Sequence, residues 1–146
     1  MKAYANELHQ IIQESQPWLA GITEEQAQSV PGTRWMIKEI VGHLIDSACN
    51  NQQRFIRLQQ GNLLGFPVYD QNHWVDAAGY KTMPWQAIRA LWITYNEILV
   101  KIIENIHENA RMNYWDKPEK HLEFLVKDYL RHVRHHLSVI QNFISQ

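Results

Sequence analysis

The C-terminal stretch of the chain carries a pattern that few folds can satisfy. Between about Glu119 and Ile144, Leu122, Leu125, Tyr129, His132, His136, Val139 and Phe143 recur at spacings of 3, 4, 3, 4, 3 and 4 residues. Apolar residues at that spacing line one side of an α-helix and predict an inward-facing seam. Two of the seam positions are histidines. Residues at i and i+4 lie one above the other on a helix face. Two imidazoles so placed can share one metal ion, as on the metal-binding helix of the zinc proteases. Buried without partners, each would cost roughly 1–3 kcal/mol. A core histidine satisfied by an ordinary hydrogen bond is the plain alternative.

Three other stretches repeat the helical pattern. Ala3 to Gln16 carries Leu8, Ile11 and Ile12 and is expected to stop before Pro17. Thr23-Glu24-Glu25-Gln26 reads as a capping box opening a short turn of helix. Met36 to Gln60 aligns Ile37, Ile40, Val41, Leu44, Ala48, Phe55 and Leu58 on one face, with Gly61 as the expected C-cap. From Pro84 to about His107 a wide stripe includes Trp85, Ile88, Leu91, Trp92, Tyr95, Ile98, Leu99, Ile102, Ile103 and Ile106. Asn62 to Met83 has no clear period. A connection that long is usually functional or contains a short element of its own. No convincing strand pattern occurs. The expected fold is all-α: a four-helix bundle forming one domain over residues 1–146. Its long connection between the second and third helices permits an overhand crossover.

Composition narrows the function classes. The 14 basic and 15 acidic side chains nearly balance and form no Lys/Arg block. A nucleic-acid partner is therefore not expected. No apolar run approaches the ~18–20 residues of a membrane span. The N-terminal MKAYANELHQIIQESQ lacks the apolar region of a signal peptide. The lone Cys49 rules out an internal disulfide. These features together predict a cytoplasmic protein. Eight histidines and six tryptophans are the departures from ordinary composition. They point to metal or proton chemistry and to a thick aromatic core or a stacked ligand.

A third ligand should come from another helix. The second helix offers His43, at the edge of its apolar stripe on a flank shared with Met36, Ser47 and Arg54. Gly42 beside it permits close approach of another backbone. Periodicity alone leaves His43 one possibility among others.

Three short motifs extend this reading. Trp35-x-Ile37-Lys38-Glu39-x-x-Gly42-His43-Leu44-x-Asp46-Ser47 resembles the start of the second helix in the DinB/YfiT-like superfamily. His132-Val133-Arg134-His135-His136-Leu137-x-x-Ile140 resembles its closing helix, and Tyr69-Asp70-Gln71-Asn72-x-Trp74-Val75 its aspartate-containing loop. The motifs stand in the family's order and span nearly the whole chain. The resemblance implies a four-helix bundle, often a homodimer, with a divalent metal held by His43, His132 and His136. It selects His136 over His135. It also implies a thiol-dependent S-transferase or isomerase using a low-molecular-weight thiol, or else a metal-dependent hydrolase.

Three imidazoles leave a coordination position open, as catalytic sites do and structural zinc sites do not. Zinc and nickel are the expected ions, since both suit imidazole. A cation there can activate either a water or a thiol. Between these, the family resemblance makes an S-transferase acting on small electrophiles the first expectation. The alternatives are a hydrolase and a non-catalytic bundle that binds metal or a small ligand in a stress response. Asp128 and Glu39 each stand four residues before a ligand and could orient it, although an exposed helix charge is the simpler role for Glu39. Asp70 is the candidate catalytic carboxylate, by the family pattern, against ordinary turn-forming work. Cys49 could be a nucleophile, against a small core residue; His73 could approach the metal, against a surface histidine; and Trp74, Tyr80 and Trp85 could line a substrate pocket, against core packing. His9, His107 and His121 receive no role.

Overall fold

The helical periodicity is realised in six α-helices. The computed structural model describes Met1–Gln146. The long helices are α1 (Lys2–Ala20), α3 (Ile37–Arg57), α5 (Trp85–Glu104) and α6 (Leu122–Ile144), and the short ones are α2 (Glu24–Ala27) and α4 (Gln71–Ala78). There is no strand, only two isolated bridges, Leu63 with Trp115 and Tyr114 with His121.

Each long helix packs on two others: α1 on α5 and α6, and α3 on the same pair. Side-chain bonds give the directions. Tyr4 and Glu7 of α1 bond Glu123 and Arg134 of α6, so these two run parallel. Glu24 joins Lys38 and the N–H of Trp85, while Tyr95 bonds Gln52, so α3 and α5 also run parallel. His9 pairs with Glu97, which sets α1 against α5. The order is up, down, down, up. The long second connection makes this possible by crossing from the end of α3 back to the start of α5. It contains α4 and a 3-10 turn, Tyr80–Thr82, as the length of that connection predicted.

A cluster of 35 buried hydrophobic residues fills the interior. α3 lies deepest, since α4 and the 3-10 turn cover the side left open by α5 and α6. Every residue from Ile37 to Ala48 is buried. A polar flank on such a helix is therefore buried as well, and this is what creates the site.

Local signals mostly hold. Thr23 and Gln26 form the reciprocal capping box, at 3.1 and 2.9 Å. Pro84 caps α5. Several expectations fail. α3 ends at Arg57 with Leu58 as its C-cap, three residues short of the expected Gly61. α1 continues through Pro17 to Ala20. Proline forfeits one N–H bond there, but Leu19 is fully buried and Gly21 N–H closes on the carbonyls of Pro17 and Trp18 at 3.2 Å. The seam of α6 is also turned. Leu122, Leu125 and Tyr129 of the expected seam are buried, but the buried face continues through Val126, Leu130, Val133, Leu137 and Ile140, while Phe143 is exposed and His132, His136 and Val139 are half-buried. Burying an aliphatic side chain contributes about 1.5–3 kcal/mol, and an imidazole brings polar atoms that need partners. The aliphatic face takes the core, leaving the histidines at the α3–α6 boundary. On α5, Leu91 and Ile98 likewise face outward, at 50% and 47% exposure.

Candidate metal centre

α3 and α6 run antiparallel, which brings the middle of one against the middle of the other. His43 meets His132 and His136 there. The His43 and His132 Nε2 atoms are 3.0 Å apart. The ring centroids lie 4.9 Å (His43–His132), 4.8 Å (His43–His136) and 4.6 Å (His132–His136) apart. One nitrogen from each ring falls in a group spanning no more than 4.8 Å, and no fourth histidine, cysteine or carboxylate joins it. His135, by contrast, points to solvent.

This donor set fits a metal ion. A tetrahedral ion with bonds of about 2.0–2.1 Å holds its ligand nitrogens roughly 3.3 Å apart, close to the His43–His132 separation. The rings are also kept neutral, the state a metal needs. Burial drives His43 down to about 3, aided by repulsion from the other two rings. Burial and the neighbouring His132 and His135 bring His136 to about 4. Burial lowers His132 too, against the pull of the Asp128 carboxylate. His43 is 1% exposed, its ring tilted over Trp35 at 4.8 Å, and its Nδ1 has no hydrogen-bond partner.

The surrounding residues differ from the expected ones. Glu39 is neither exposed nor bonded to His43: it is buried at the start of α3, where its Oε2 accepts the Met36 N–H at 2.9 Å. Asp128 binds Arg131 through two bonds, at 3.1 and 2.7 Å, and shares a cavity with His132 rather than a hydrogen bond. The polar neighbour of the His132 Nδ1 is the Ser47 hydroxyl, 3.4 Å away. Asp70 is exposed and caps α4, its Oδ1 accepting from the Asn72 and His73 N–H groups.

Asp46 and Tyr80 form a pair that sequence reasoning missed. The Tyr80 hydroxyl donates to Asp46 Oδ1 at 2.6 Å, while Oδ2 is buried without a partner. Tyr80 comes within reach because Gly42, one turn before Asp46, lets its ring lie directly on α3. The motif containing Gly42 and Asp46 signalled α3's half of this contact; no spacing pointed to Tyr80. Burial raises Asp46 to about 6, partly offset by the tyrosine bond. The folded protein therefore binds a proton between about pH 4 and 6 that the unfolded chain has released. Asp46 thus adds stability as pH falls through 6 and withdraws it as pH rises. Asp46→Asn should gain on the wild type by roughly 1–3 kcal/mol between pH 4 and 7.5. Paired thermal melts across that range check the trend, and a constant difference would refute it.

No helix is long and apolar enough to cross a membrane. No curated protein and no solved structure matches the chain at a significant level. The DinB superfamily family model matches residues 7–140. With that match over most of its length, and with three histidines converging from two of its long helices, the chain belongs to the DinB superfamily.

Proposed function

We propose that the protein is a divalent-metal enzyme that joins a small thiol to an electrophilic small molecule. The observation carrying this reading is the cluster of His43, His132 and His136 with no fourth protein ligand. Three ligands leave a position for an exchangeable group, the arrangement of catalytic rather than structural sites. A bound zinc or nickel ion supplies the Lewis acidity that favours the thiolate form of a thiol at neutral pH.

The chain's own residues do the remaining work. Burial keeps the three rings unprotonated without a dedicated base. Trp35 fixes the plane of His43, and Ser47 steadies His132. Beside His132 a cavity of about 140 Å³, bordered by Ser47, Asn51 and Tyr69, admits only a small group. Asp70 enters this reading as the residue that starts α4 and so places Trp74 in the wall of a neighbouring cleft with Asp46 and His73.

The test is turnover. Metal-loaded protein is assayed with cellular thiols against model electrophiles, following loss of free thiol. Thiol consumption that needs both metal and protein is the expected result. Metal-dependent turnover that proceeds equally without thiol would replace this reading by hydrolysis. Full metal occupancy without turnover across the panel would favour a binding role.

A further inference from the structure

The same cavity has a second chemical feature on its far wall. Arg54 is 9% exposed, three turns along α3 from His43 on the same flank. A buried arginine is ordinarily paired with a carboxylate, but none of the ion pairs in this protein includes Arg54. Its guanidinium lies over the Trp115 ring, 4.2 Å from the centroid, and its Nε is buried with no hydrogen-bond partner. Its polar neighbour in the cavity is Tyr69, whose hydroxyl burial keeps protonated and uncharged. Asp128 borders the cavity too, but its Oδ1 is engaged by Arg131 from outside.

The platform beneath Arg54 is firmly built. Trp115 Nε1 donates to the Phe66 carbonyl at 3.0 Å, and the flanking backbone bonds Leu63 in both directions, at 3.0 and 2.8 Å. The Asn113 amide also reaches the Leu58 carbonyl at the end of α3. Two loops at one end of the bundle, after α3 and before α6, thus hold an aromatic face under one guanidinium. Stacking leaves the edge of the guanidinium fork free, and that edge matches the two oxygens of a carboxylate.

We propose that Arg54 is the recognition residue for a carboxylate on the small substrate whose reactive end lies at the histidine cluster. Asn51 and Tyr69 complete the polar wall around it. The cavity volume of about 140 Å³ equals roughly four or five waters. It has room for a carboxylate on a short chain reaching toward His132. This inference rests on the small-molecule reading of the site and adds the substrate's charge and length.

The probe is 3-mercaptopropionate, compared with its uncharged amide and with inorganic phosphate. Each is titrated calorimetrically into metal-loaded and metal-free protein. The wild type should bind the acid roughly tenfold or more tighter than the amide, as expected for a charge-assisted bond. Arg54→Gln should bind the two alike while keeping its metal content, and Arg54→Lys should fall between them because it retains charge but not the fork. Equal affinities for acid and amide in the wild type overturn the proposal without recourse to any variant. Phosphate binding as tight as that of the acid overturns the assignment to a carboxylate. A protein that holds no metal yet prefers the acid removes the metal reading and leaves this one standing; a metal-loaded protein without the preference does the reverse.

Discussion

His136→Ala leaves the protein folded and strips it of its metal. The imidazole makes no hydrogen bond recorded in the structure, and the buried face of α6 is carried by Leu122, Val126, Val133, Leu137 and Ile140 instead. Removing a half-buried ring from the α3–α6 boundary therefore costs little packing. Its effect on a metal ion is large, because two imidazoles remain where three converged. Even partners that only orient a ligand are worth about 10–100-fold in metal affinity, so losing a ligand should cost at least about a hundredfold. Elemental analysis of untagged protein should give one ion per chain for the wild type and almost none for the variant. Circular dichroism should give superimposable helical spectra. Equal metal contents would remove the site, and with it the proposed chemistry.

Gly42→Ala should be among the most damaging single-methyl changes in the molecule. A Cβ on Gly42 would fall within the Tyr80 ring, meeting its Cγ, Cδ2 and Cε2 atoms. Neither side can give easily. Gly42 lies within the fully buried run of α3, and Tyr80 is 6% exposed and tied to Asp46. Overpacking costs about 1–3 kcal/mol, and stranding the buried Asp46 carboxylate without its donor adds a similar amount. A loss of about 3 kcal/mol corresponds to a drop of roughly 9–12 °C in a chain of this size. Thermal melts of both proteins measure it, and an unchanged Tm would show that the ring is displaced freely. A second consequence separates this contact from generic core damage. Tyr80→Phe keeps the ring on Gly42 and removes only the hydroxyl, so it should cost less than Gly42→Ala.

Helix content was legible because it depends on local spacing. The α3 and α5 helices, the Thr23 capping box and the Pro84 start each involve residues within a few positions of one another, and all are present, although Leu91 and Ile98 of the α5 stripe face outward. The continuation of α1 past Pro17 was not legible. A proline's local cost is visible in sequence, whereas the burial of Leu19 that outweighs it is not.

The histidines divide along the same line. His132 and His136 stand at i and i+4, so one helix suffices to align them, whatever their burial. Their expected place in the core seam was wrong by a fraction of a turn. Residues on adjoining faces of a helix differ by about 100° per position, and which face turns inward depends on the surfaces that α1 and α3 offer. His43 depended still more on context. On its own helix it lies on a polar flank with Ser47 and Arg54, an arrangement that would face water were α6 not packed against it.

By itself, then, the sequence determined the helices, the pair on α6 and the polar flank of α3, since each is written in residues close along the chain. The tertiary structure alone decided that this flank is buried: α6 packs antiparallel against it, and the long connection lays α4 and Tyr80 over the adjoining side of α3. The α3–α6 packing gathers His43 to the pair, the loop before α6 sets Trp115 against Arg54, and the long connection puts Tyr80 on Gly42. None of these contacts follows from spacing, because each joins residues separated by tens of positions whose meeting depends on how the whole bundle closes.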